Sequence, residues 1–128
     1  MKKDTISKYL TAALEILQAE GRTNVTSTLK GKAASFGPSV ISIGILPTVV
    51  FYGEEKEAKH EHHLVLNAIW KILKKDETLA TSTCTSLREY ILKGKDEMAL
   101  KRDRILKAST AYKLALRTYP EAKKEEKT

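Results

Sequence analysis

The sequence predicts an all-α protein, a compact bundle of about five to six helices. Three observations carry that expectation. Stretches near 5–20, 60–75 and 95–119 repeat apolar residues at helical spacing. Glycines, prolines and Ser/Thr runs punctuate the chain between them. The one β-branched run, residues 38–52, has no second β-like run to pair with. At 128 residues the chain is about one domain long and needs no disulfide or metal to fold. Residues 1–120 are expected to form a single helical domain. Residues 121–128, balanced between Lys and Glu, are expected to be a disordered tail.

The first helix, over 5–20, places Ile6, Tyr9, Leu10, Ala13, Leu14, Ile16 and Leu17 on one side. Asp4 or Thr5 is positioned to cap it, and Gly21 to stop it. After cap-forming residues from Thr23 to Thr28, a short helix over 27–36 carries Lys30 and Lys32. Gly37-Pro38 is expected to end it, with Pro38 opening the next element. The stretch 38–52 reads as one buried helix, or as two broken near Pro47. Residues 53–63 form a charged turn entering a helix that runs to Lys75. Its apolar side carries Val65, Leu66, Ala68, Ile69, Trp70, Ile72 and Leu73; His60, His63, Lys71, Lys74 and Lys75 fall opposite. A Thr/Ser-rich linker over 76–85 leads to a short helix over 85–93, stopped by Gly94. The last helix, 95–119, ends before Pro120. Met98, Ile105, Tyr112 and Tyr119, with Ala108 and Ala115, form its inward stripe. Leu100, Leu106 and Leu114 make a second apolar line, which suggests burial on two sides or contact with another subunit.

The composition narrows the function. The longest apolar stretch, Val40 to Tyr52, is too short for a bilayer span of about 20 residues. Cys84 is the only cysteine, so it forms no internal disulfide and supplies no metal-ligand pair. With no secretory pattern at the N-terminus, a cytoplasmic location is expected. In His60-Glu61-His62-His63, the position that should carry the second histidine of a zincin is Leu64, so the histidines read as exposed surface groups. Cys84 has no activating base beside it in the sequence, the glycines form no phosphate loop, and Glu54-Glu55 read as solvated. No catalytic constellation, metal site or cofactor site is expected, and no small-molecule substrate.

What remains is charge. The formal net charge is +7, with +3 on residues 64–75 and +4 on residues 95–117. A basic excess favours polyanionic partners through counterion release. Lys71, Lys74 and Lys75 project together by their i, i+3, i+4 spacing and are the first candidates for RNA phosphates. Lys30, Lys32, Arg102, Arg104 and Lys107 come second, and Lys101, Lys113 and Arg117 decorate the last helix more diffusely. Aromatic residues are only 6% of the chain, which favours backbone contact over stacking-based readout. A helical adaptor that uses its charge only for solubility is the competing reading.

The order of features carries a resemblance. The helix Ser7-Lys8-Tyr9-Leu10 to Leu17 precedes a basic turn. Then come Phe36-Gly37-Pro38-Ser39-Val40-Ile41, Gly44-Ile45-Leu46 and Val49-Val50-Phe51-Tyr52, and the chain closes with Tyr112 to Tyr119 and a charged tail. This pattern resembles the small α-helical subunit of type III-B CRISPR effector complexes, the Cmr small subunit. The resemblance implies a helical bundle without enzymatic activity. Several copies would stack into a short filament beside other subunits of the effector complex, lining the channel where guide and target RNA pair. It also implies a use for the second apolar line of the last helix, as a stacking surface.

Overall fold

A computed structural model describes residues 2–53 and 60–121 and shows an all-α bundle. The helices among these residues are α1 (Lys2–Ala19), α2 (Ser27–Ile43), α3 (Ile45–Tyr52), α4 (His60–Lys74), α5 (Leu87–Lys93) and α6 (Met98–Arg117). The charged turn expected before α4 falls largely on residues 54–59, and the expected 121–128 tail on 122–128 apart from Glu121, which bridges to Val25. Residues 54–59 and 122–128 lie outside the described residues. Among the described residues no helix is long and apolar enough to cross a membrane.

Helix α6 packs against α1, α2 and α4, and α4 in turn meets α1, α2, α3 and α5. The shared core holds Leu17, Phe36, Ile69, Ile72, Leu73, Tyr90, Ile105 and Leu116, all fully buried. Helix α1 begins at Lys2, so Asp4 and Thr5 lie inside it rather than at its cap. On α6 the buried stripe is Ile105, Ala108, Ala111, Tyr112, Ala115 and Leu116. Met98, at the helix start, is instead exposed. Leu100 and Leu106 of the second line pack against the core, because α6 has neighbours on several sides.

The middle of the chain departs from expectation. Helix α2 does not stop at Gly37-Pro38 but runs through to Ile43 with Pro38 inside it. Leu29, Ala33, Phe36 and Val40 are its buried residues, and that i, i+4, i+7, i+11 spacing carries the helical phase straight across the Gly-Pro pair. Pro38 has no N–H to return to Ala34, and both residues are exposed, so the deprived carbonyl lies on the solvent side. At the other end Thr26 caps α2, its Oγ1 accepting from the Leu29 N–H at 3.0 Å.

The break falls at Gly44, not near Pro47. Gly44 adopts φ +97°, a region that L side chains avoid; its N–H donates to the Val40 carbonyl (2.8 Å) and its carbonyl accepts from Thr48 N–H (3.3 Å). Pro47 is the third residue of α3, within the first turn, where a missing N–H costs nothing. Nor is the stretch buried throughout. Ile41, Ile43, Val50 and Phe51 are exposed, while Ile45, Thr48, Val49 and Tyr52 face inward.

Polar joints fasten the C-terminal half. Ser86 caps α5 by accepting from the Glu89 N–H. Asp96 accepts from the Ala80 N–H at 2.8 Å and from the Tyr90 hydroxyl at 2.7 Å. Lys101 is buried; its ammonium donates to the Ile91 carbonyl at 2.9 Å and lies 5.5 Å from the centre of the Tyr90 ring. A parallel bridge joins Val25 to Glu121, with the Val25 N–H donating to Pro120 O at 3.0 Å.

Gly94, which ends α5, yields a test. A Cβ there would stand 2.5 Å from the Tyr90 carbonyl oxygen and 2.6 Å from its ring. Gly94→Ala is therefore expected to destabilise the protein by about 1–3 kcal/mol through overpacking. Urea unfolding reads this as a lower midpoint at unchanged slope. An unchanged midpoint would show that the turn yields freely.

Candidate nucleic-acid interface

The face is built by the phase of α4. Val65, Ala68, Ile69, Ile72 and Leu73 turn into the core, which leaves Lys71, Lys74 and the following Lys75 exposed together. Lys71 and Lys74 stand in the last turn, where the helix dipole favours cations. The Lys74 ammonium lies 5.9 Å from the centre of the Trp70 ring. Lys75 reaches across to α1 and pairs with Glu15 at 3.1 Å, both side chains about half exposed. Such a pair contributes about 0–1 kcal/mol, little enough for a phosphate to displace the carboxylate.

Other groups gather beside this triplet. Lys8 of α1 lines a small recess with Lys75 and Asp76. Arg104 of α6 is near enough to Asp76 to help hold its carboxyl ionised. The proximity of Lys8 was not visible in the sequence, because it depends on how α1 crosses α4.

The remaining candidates have different surroundings. Arg102 is exposed. Arg104 and Lys107 both pair with Asp103, Lys107 at 3.1 Å, so two cations share one carboxylate. Burial pushes the Asp103 carboxyl up, but the hydrogen bonds and charges of Lys107 and Arg104 outweigh it and hold it below its usual range. Lys30 donates to the Tyr119 carbonyl at 3.1 Å, fastening α2 to the segment after α6. Lys32 is half-buried and lines a polar groove with Ser27, Thr28 and Ser35; its backbone carbonyl accepts from the Tyr52 hydroxyl at 2.8 Å. Lys101, read as part of the diffuse basic surface of α6, is instead buried against α5.

The histidine expectation needs correction at His62. This residue is buried, with its ring 4.5 Å from Tyr52 and 5.4 Å from Phe51 in edge-on contacts. It precedes Val65 by three residues and Ile69 by seven, which puts it on the inward phase of α4. His63 is half-buried, and the side chain of His60 lies outside the described residues. Among the described residues no three His, Cys, Asp or Glu side chains are grouped to hold a metal ion. Cys84 is buried.

Asp76, next to Lys75, links the face to stability. It accepts from the Tyr9 hydroxyl, from Thr78 N–H at 2.9 Å and from Thr78 Oγ1 at 2.6 Å. Burial alone would raise its pKa, but these hydrogen bonds and the Arg104 charge outweigh burial and lower it. A carboxyl depressed in the folded state stabilises it above the unfolded pKa of about 3.9 and loses that effect as pH falls through the folded value. Asp76→Asn is thus expected to be less stable than wild type at pH 6, with the gap narrowing below about pH 4. Urea midpoints at both pH values measure it; a gap independent of pH would remove Asp76 from the acid sensitivity.

No family model, curated protein or solved structure matches the chain.

Proposed function

We propose that this chain is a non-catalytic, cytoplasmic structural subunit of a type III-B CRISPR RNA-guided effector. In that reading, several copies stack into a short filament along the guide–target RNA duplex. Each copy holds the RNA backbone through its basic face. The observation that carries this reading is the exposed Lys71, Lys74 and Lys75 at the end of α4 in a helical chain of net charge +7. Lysines so placed act as point charges toward phosphates, without base preference. The sequence resemblance supplies the identity of the complex.

Affinity purification of tagged protein from its native host at moderate salt is the test. Short RNAs sharing a common 5′ end, with large stoichiometric protein partners, are the expected result. A helical adaptor is the second reading, favoured by the exposed Ile41, Ile43, Val50 and Phe51. It predicts recovery of protein partners without RNA.

A further inference from the structure

Beside the lysine face, between α3, α4 and the start of α5, lies a recess of about 350 Å³. We propose that it receives one unstacked nucleobase of the RNA strand whose phosphates bind Lys71 and Lys74. This inference rests on the RNA-binding reading above and adds to it a place where the RNA is held by more than its backbone.

The volume lies within the range of small-molecule sites, about 300–1,000 Å³. Val49, Leu66, Trp70 and Leu87 supply apolar walls, and Asn67 and Arg88, both exposed, supply the polar edge. An asparagine amide offers donors and an acceptor to a base edge, and a planar guanidinium can take a phosphate or lie against a ring. The hydroxyls that also border the recess differ in what they leave for a ligand. Thr85 Oγ1 donates to the Glu89 carboxylate at 2.8 Å, and Ser86 Oγ accepts from the Glu89 N–H at 3.1 Å. Glu89 is thereby held at Thr85, which leaves Asn67, Arg88 and the hydroxyl hydrogen of Ser86 as the polar groups for an incoming ligand.

The cations at the recess favour an anionic ligand, with the Glu89 carboxylate held on Thr85 at the same rim. Arg88 borders it directly, and Lys74 lies over Trp70, one of its walls. On α4, Asn67 precedes Lys71 by one turn and Trp70 precedes Lys74 by one turn. The polar edge and the phosphate-binding lysines therefore succeed each other along a single helix. A base with its own phosphate matches this sequence of apolar wall, amide and cations. A bulky apolar side chain from an acidic protein segment would fill the walls but leave the Asn67 amide unused.

Trp70 is the chain's only tryptophan, so its emission reports on the recess. The experiment titrates the full chain at low salt with a ten-nucleotide single-stranded RNA, and with a ribose-phosphate strand of equal length lacking bases. The base-bearing strand is expected to bind about 10-fold more tightly, as one accommodated base allows, and to change Trp70 emission; the abasic strand does not change it. Asn67→Phe, at an exposed position, fills the recess. It is expected to bring the affinity ratio close to one while leaving the salt dependence intact. Arg88→Glu, a second exposed position, should lower the ratio if the first variant folds poorly.

Salt-dependent binding with equal affinities and unchanged emission would overturn the base site and leave the RNA-binding reading standing. So would a change of emission with an acidic peptide carrying a bulky apolar residue and none with RNA. If neither strand binds, the RNA-binding reading fails, and uridine monophosphate at millimolar concentration decides the recess. A change in Trp70 emission then supports a nucleotide site, and no change overturns it.

Discussion

Replacing Lys71, Lys74 and Lys75 with alanine is expected to lower RNA affinity about 100-fold near 0.1 M salt, equally for all sequences. The magnitude follows from counterion release. Each phosphate contact contributes a slope of about −0.7 in log K against log salt for single strands, so losing three flattens the slope by about two units. The electrostatic gain between 1 M and 0.1 M then falls by about two decades. All three side chains are exposed, and the Lys74 contact with the Trp70 ring is a minor loss, so the fold should persist. The Lys75–Glu15 pair is lost as well, at little cost in stability. Arg104→Ala and Lys107→Ala should each have a smaller effect, because both cations are shared with Asp103. Fluorescence anisotropy over a salt series checks this. A slope unchanged in the triple variant would move the interface away from α4.

Phe36→Ala is expected to destabilise the fold by about 3–5 kcal/mol, a large part of an ordinary domain's 5–15 kcal/mol. Phe36 is fully buried, and its ring meets Tyr52 edge-on at 5.1 Å. Tyr52 in turn donates to the Lys32 carbonyl, so one aromatic pair fixes α3 to α2 on both sides of the Gly44 bend. Truncation removes the ring's transfer free energy and leaves a cavity between two helices. For a domain of this size the melting temperature should fall by about 15 °C. Ile41→Ala, only a short way along the same helix but 67% exposed, should change stability by about 0.5 kcal/mol or less. Thermal melts of the two variants side by side test this. Equal melting temperatures would mean that α2 does not pack through the face assigned to it.

Helix α4 was readable from the sequence because its apolar period is strong and its lysines fall opposite. The core residues of α1 were readable for similar local reasons, as was the existence of a short helix ending at Gly94, although α5 begins at Leu87 behind its Ser86 cap rather than at residue 85. The extent of α2 was not, because Gly37-Pro38 is a stop signal in isolation. The packing of Phe36 and Val40 overrides that local preference, and their four-residue spacing was the available clue. Gly44, rather than Pro47, bends the chain because a proline in a first helical turn breaks no bond, while a φ of +97° demands glycine. His62 and Lys101 were misread for another reason. Each lies on the inward phase of its helix, three or four residues before a buried aliphatic, but its polar head suggests the surface. The Phe51 and Tyr52 rings of α3, or the end of α5, that accommodate it come from distant parts of the chain. The recess beside Trp70 likewise arises only once α3, α4 and α5 meet.

The fastening of residues 119–121 to the start of α2 bears on how the protein is made. Lys30 and Val25 receive their partners from Tyr119 and Pro120, and the apolar side of α1 is covered largely by α6. A ribosome adding 5–20 residues per second completes α6 about 5–20 s after α1. Throughout that interval Ile16, Leu17 and Phe36 lack the helix that shields them. Until then the apolar face of α1 has no stable cover, and helices without tertiary packing are marginal in water. The small positive excess of the first fifty-three residues, six Lys and Arg against three Asp and Glu, is what these segments have to keep neighbouring nascent chains apart in that interval.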